Sequence, residues 1–167
     1  TYRFDLAALS WSRLATWGDA PSPRLIPAMA VLSGRLYIHG GQAANDFVVY
    51  GRDVYTLDLA TLRWTRIAGG ANAPLRMLAA VCEDPEGGRL LLYGGAGTYL
   101  TEGDHTVRFN DLWQFSSKTG TWSQLNATGN LPIPSFNANM GMINGFIYLF
   151  GGHTLNGYVN SVHQLDP

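Results

Sequence analysis

Three stretches of this chain repeat one design: RLYIHGG (Arg35–Gly41), RLLLYGG (Arg89–Gly95) and FIYLFGG (Phe146–Gly152). Each is an apolar run too short for a helix and stopped by a glycine pair, which reads as a buried strand with a sharp exit. The pairs Gly40-Gly41, Gly94-Gly95 and Gly151-Gly152 recur at steps of 54 (Gly41 to Gly95) and 57 (Gly95 to Gly152) residues. A second motif keeps nearly the same period. YRFDLAALSW ends at Trp11, YTLDLATLRW at Trp64 and WQFSSKTGTW at Trp122, at steps of 53 and 58. A further copy opens as VHQLDP from Val162. Self-similarity at such a period marks a repeat architecture in which each unit buries its faces only against its neighbours.

Composition agrees with short strands and tight turns. The 167 residues are 46% hydrophobic but only 14% charged, enough apolar material for a core and too little charge for a disordered chain. Twenty glycines, five tryptophans and eight tyrosines favour strands and turns over helices. The net charge of −1, without a Lys/Arg-rich run, excludes the electrostatic footprint of a nucleic-acid or acidic-membrane binder. The apolar runs are too short to span a bilayer. The single cysteine, Cys82, rules out an internal disulfide. It fits a reducing cytosol, the preferred placement, and also a large extracellular protein built without disulfides.

Each repeat divides into four strands. In the first full copy they run from about Ile26 to Leu32, Arg35 to His39, Val54 to Leu57 and Arg63 to Ile67. The second copy places them at Leu78 to Cys82, Leu90 to Tyr93, Leu112 to Phe115 and Trp122 to Leu125. The third has Ala138 to Ile143, Ile147 to Phe150 and Val162 to Leu165. Asn144-Gly145 is a hairpin turn in which both residues tolerate positive φ. Asp5, Asp58 and Asp166, with Ser116 in one copy, are expected to accept backbone N–H bonds in the turn between third and fourth strands. Trp11, Trp64 and Trp122 are expected between blades, each indole N–H needing an acceptor.

Strand, glycine pair, aromatic–Asp–turn–Trp strand: this order resembles the Kelch repeat over nearly the whole chain. The resemblance implies an all-β propeller of four-stranded antiparallel blades. About three blades fall short of a ring of 4–8, so the chain is expected to be an arc completed by further blades of the same protein. The expected divisions are 1–17 (the end of a preceding blade), 21–68, 73–125 and 132–167, the last lacking its fourth strand. Kelch repeats often carry an arginine before the first strand. Arg24 and Arg76 match, and Ser135 breaks the series.

In a meander, the second-to-third loops and the inter-blade linkers open on one face and the tight turns on the other. The loops 42–52, 96–110 and 153–160 and the linkers 15–23, 68–75 and 126–134 should therefore share a rim. Loops on a rigid scaffold are where binding concentrates. Phe47, Tyr50, Arg52, Tyr99, His105, Arg108 and Tyr158 are the aromatic and charged candidates there.

Catalytic constellations are not in evidence. GxSxG, HExxH, P-loop and GxGxxG patterns are all missing. His39 and His163 occupy slots held elsewhere by Tyr, Phe or Trp, so they read as structural. His153 and His105 are loop residues, and the loop TEGDH (Glu102, Asp104, His105) reads as a polar tip rather than a metal site. Cys82 reads as a small buried hydrophobe. The expectation is a non-enzymatic, cofactor-free and metal-free module that presents loops to a protein partner, as the Kelch resemblance implies for adaptors and scaffolds. The alternative is an extracellular galactose-oxidase-like or glycan-binding propeller, kept open by the glycosylation pattern Asn126-Ala127-Thr128.

Overall fold

The computed structural model describes residues 1–43, 51–97 and 106–165. Among the described residues every regular element is a strand. A hairpin, Tyr2–Asp5 with Ser10–Arg13, precedes three larger sheets. The first sheet orders Ala28–Leu32, Arg35–His39, Val54–Asp58 and Arg63–Ile67 as an antiparallel meander. The linker residues Trp17–Gly18 add a short parallel strand to its outer edge. The second sheet orders Ala80–Asp84, Arg89–Tyr93, Leu112–Ser116 and Thr121–Leu125. The third orders Asn139–Ile143, Phe146–Phe150 and Val162–Leu165. This is the arrangement the repeat predicts, and the sheets do not close into a ring.

The sheets stack face to face through the side chains that alternate along each strand. Ala28, Leu32, Tyr37 and Val54 of the first sheet meet Leu90, Leu92, Phe115 and Trp122 of the second. The other face of the second sheet turns Cys82, Leu91, Tyr93 and Leu112 onto Ile147 and Leu149 of the third. That is why RLLLY carries no polar alternation: Leu90, Leu91, Leu92 and Tyr93 are all buried, because both faces are covered. Each such leucine contributes about 2 kcal/mol of burial. Cys82 sits in this second interface, where burial first and then Glu83 and Asp84 push its thiol up to about 12. It is an inert core residue.

Turn chemistry follows the sequence closely. Ser33-Gly34 and Asn144-Gly145 both take positive φ at both positions, as a two-residue hairpin demands. Oδ1 of Asp5 accepts from the N–H groups of Ala7 and Ala8, and Oδ1 of Asp58 from Ala60 and Thr61. Ser116 substitutes with one longer bond, Thr119 N–H to Oγ at 3.3 Å. Asp166 lies outside the described residues.

The first strands begin later than expected, by two residues at Ala28 and Ala80 and by one at Asn139. Ile26, Leu78 and Asn137 occupy the same place in each repeat, and all take left-handed φ of 46°, 55° and 59°. Such a backbone cannot continue a strand. It is held by contacts between blades: Leu78 N–H donates to Ile26 C=O, and Asn137 N–H to Leu78 C=O. The glycine pairs serve the same junction. Gly41 N–H donates to Arg76 C=O and Gly95 N–H to Ser135 C=O, each reaching into the next blade. A β-carbon on Gly94 would stand 2.7 Å from Ser135 O and 3.1 Å from Phe109 O. Glycine is therefore required there by close approach as well as by its positive φ.

The tryptophans divide. Trp122 packs between blades, 4.6 Å from the His39 ring and 5.2 Å from Phe115. Its Nε1–H finds no acceptor among the described residues, so the expected hydrogen bond is not made. Trp64 is buried, whereas Trp11 is 70% exposed on the N-terminal hairpin.

Candidate functional site

The glycine pairs, the described ends of the second-to-third loops and the linkers 68–75 and 126–134 gather at one end of the stack, as the hydrogen bonds that dock these two linkers show. Trp17 of the linker 15–23, expected at the same rim, bonds instead to the carbonyls of Thr61 and Leu62 at the tight-turn end. His39, the last residue of a second strand, has Nε2 2.7 Å from Pro74 O and Nδ1 3.2 Å from Asp53 O. In the next blade, Tyr93 Oη–H and Asn110 Nδ2–H both donate to Pro132 C=O. His39 is structural. Its ring is set between the carbonyls of Pro74 and Asp53, and burial lowers its pKa against their pull.

A repeated polar unit stands at this end of each blade. In the second blade Arg76, 4% exposed, sends Nη1–H to Gly94 C=O at 2.7 Å. The same guanidinium grips Asp111 with two bonds of 2.6 and 2.9 Å and lies 4.3 Å from the Phe109 ring centre. Asp111 also accepts from Trp113 Nε1–H at 2.6 Å. Burial raises the Asp111 pKa, but Arg76 and Trp113 outweigh it and hold the carboxyl below the usual carboxylate range. In the first blade Arg24 likewise donates to Gly40 C=O at 2.9 Å and lies over Tyr55. There the residue matching Asp111 is Asp53, which pairs instead with the more exposed Arg66. In the third blade both partners are serines, Ser135 and Ser161. His163, in the Trp113 slot, has Nε2 3.0 Å from Ser161 Oγ. The sequence reading recognised the arginine series and its break at Ser135. It missed Asp111 and Ser161, although each stands directly before a third strand, a register signal present in the repeat.

Of the loop candidates, Phe47, Tyr50, Tyr99 and His105 lie outside the described residues, as do Glu102 and Asp104. Arg52 donates through Nη1 to Ala73 C=O and so ties its loop to the following linker. Arg108 donates to Thr106 C=O at 3.1 Å and lies 5.2 Å from the Phe136 ring centre. Tyr158 is 87% exposed. Its ring lies 4.7 Å from His153, which in turn stands edge-on to Phe136 at 4.8 Å. The short hairpin His153–Thr154 with Gly157–Tyr158 holds this aromatic column, and Thr154 Oγ1–H braces it by donating to Gly157 C=O. Among the described residues no group of three His, Cys, Asp or Glu side chains gathers as a metal site would require.

Comparison with known proteins agrees with this geometry. The KLHDC2/KLHL20/DRC7 Kelch-repeats domain matches residues 68–167. The chain is 32% identical over 127 residues to Kelch domain-containing protein 10 of Xenopus tropicalis, which covers 76% of this chain and 29% of that protein. It is 27% identical over 172 residues to Kelch domain-containing protein 3 of Bos taurus, covering 99% of this chain and 44% of that protein. Acyl-CoA-binding domain-containing protein 5 of Arabidopsis thaliana is 32% identical over 133 residues, 78% of this chain and 19% of its own length. The chain thus spans less than half the length of these relatives. Kelch domains generally serve as protein-interaction modules. With three like-built blades, the glycine pairs at their junctions and the matching domain, the chain belongs to the Kelch-repeat family.

Proposed function

We propose that this chain is a non-catalytic part of a Kelch propeller that presents its loop rim to a protein partner. The column Phe136–His153–Tyr158 carries the reading. It climbs from a buried phenylalanine at 9% exposure to a tyrosine at 87%. An exposed aromatic held rigid from below offers contact area at small entropic cost, the property of binding hot spots. Arg52 and Arg108 support the rim by fixing loops, and Arg52 is exposed at its surface. Phe47, Tyr50, Tyr99 and His105 belong to the same loops in sequence and complete the proposed contact set.

The test compares two ends of one molecule. Proteins co-isolated with the protein from its own cells are quantified for wild type, Tyr158→Ala and Lys118→Ala, the last in the tight turn at the opposite end. Loss of partners with Tyr158→Ala alone supports the rim. Retention with Tyr158→Ala and loss with Lys118→Ala refutes it.

A further inference from the structure

Ser22 stands exposed where the linker 15–23 reaches the glycine pair of the first blade. It lies in the run Pro21-Ser22-Pro23-Arg24, and Ser22-Pro23 is the only Ser/Thr-Pro step in the sequence. Residues 20–23 form no strand, and a proline on each side biases the serine to extended backbone. An extended backbone, an exposed hydroxyl and a following residue without N–H are what a proline-directed protein kinase requires of its substrate. The neighbouring guanidinium supplies a receiver for the product. Arg24 sends Nη2–H to Ser22 Oγ at 3.4 Å, Nε–H to Ser22 C=O at 3.2 Å and Nη1–H to Gly40 C=O at 2.9 Å. The hydroxyl therefore already touches an arginine that is anchored on the glycine pair. One blade later Arg76 shows what an arginine in this slot does with an anion: it holds the Gly94 carbonyl and both Asp111 carboxylate oxygens at once. The places that match Ser22, two residues before Arg76 and Ser135, hold Pro74 and Ile133, so the hydroxyl is a feature of this linker and not of the repeat.

We propose that Ser22 is a phosphorylation site for a proline-directed protein kinase, and that Arg24 receives the phosphate. Ser22 Oγ attacks the γ-phosphorus of Mg·ATP. The bond from that phosphorus to the β–γ bridging oxygen breaks, ADP leaves with the electron pair, and the hydroxyl proton passes to the kinase's catalytic base. The product carries a charge of about −1.5 to −2 and three strong acceptor oxygens beside Arg24. The guanidinium binds them through its Nη groups without giving up the Gly40 carbonyl, so the mark ties the linker to the first blade. The present bond to Ser22 Oγ is long and exposed, so replacing the hydroxyl costs the fold little. The inference is independent of the rim reading, since it needs neither a partner nor Tyr158.

The protein, and a synthetic peptide of residues 17–27 as its unfolded reference, are incubated with Mg·ATP and a mitogen-activated protein kinase, and phosphate is located by mass spectrometry. A single phosphoryl group is expected, on Ser22, entering the folded protein at a rate close to that of the peptide. Ser22→Ala should take up none. Phosphorus NMR then reads the contact with Arg24. The second ionisation of the phosphate, ordinarily at about pH 6, should move to lower pH in the folded protein than in the peptide. Arg24→Ala should reverse that movement and Arg24→Lys should restore part of it. A folded protein that stays unmodified, whether or not the peptide reacts, overturns the inference, as does uptake that persists in Ser22→Ala. A phosphate that ionises alike in wild type and Arg24→Ala overturns the part given to the arginine. The Tyr158→Ala comparison bears on none of these results, so failure here and failure of the rim reading are distinguishable.

Discussion

Asp111→Asn is the most informative single change. Arg76 is 4% exposed and Asp111 22%, joined by two charge-assisted bonds. The substitution keeps shape but leaves a buried guanidinium without its counter-charge. Breaking one side of a buried pair costs about 3–5 kcal/mol. The lower end applies here, about 3 kcal/mol, because Asp111 keeps some solvent and Arg76 keeps the Gly94 carbonyl. The matched change in the first blade, Asp53→Asn, breaks a pair whose arginine is 59% exposed. It should cost about 1 kcal/mol or less. The double variant Arg76→Ser with Asp111→Ser copies the third blade. It should cost less than the sum of its single changes, since no unpaired charge remains. The assay is urea unfolding, read as a midpoint shift at constant slope. The pH dependence gives an independent reading. The folded Asp111 pKa lies below its ordinary value of 3.8, so its contribution is fully present above that value and lost as pH falls through the folded pKa. Asp111→Asn should flatten that acid limb. An Asp111→Asn cost no larger than that of Asp53→Asn, or full additivity in the double variant, would refute the reasoning.

Other outcomes follow from the same contacts. Gly94→Ala should destabilise by about 3 kcal/mol or more through its clash with Ser135 O, whereas Gly145→Ala, with open space around it, should cost about 1 kcal/mol for its positive φ alone; thermal unfolding of both ranks them. Trp122→Phe should be far milder than Trp122→Ala, which loses about 3–5 kcal/mol, because it removes an indole N–H that has no acceptor among the described residues; denaturant midpoints test this. Tyr158→Ala should leave stability within about 0.5 kcal/mol while weakening partner binding, which circular dichroism melts and co-isolation measure together.

The blades were legible because their signals are local. RLLLY buried on both faces, Asp at the head of a turn and Asn-Gly in a hairpin each declare themselves within ten residues. What was not legible arises between blades. Nothing in the identities of Ile26, Leu78 and Asn137 announces a left-handed backbone, which is imposed by the bonds from Leu78 to Ile26 and from Asn137 to Leu78. The Arg76–Asp111 clasp joins residues 35 apart that carry no joint motif. The loop arginines looked like exposed contacts, but Arg52 and Arg108 bond to nearby backbone carbonyls, a use of their length that composition cannot reveal.

Native-state hydrogen exchange at four amides outside the regular strands tests the interlocked blades most directly. Gly41, Leu78, Gly95 and Asn137 each donate to a carbonyl of an adjoining blade. Exchange at all four should be slowed to nearly the level of the neighbouring strand amides, while Asn144 in its hairpin turn exchanges fast. Rapid exchange at all four, with the strands still protected, would mean sheets that fold singly without locking together, and would contradict the account.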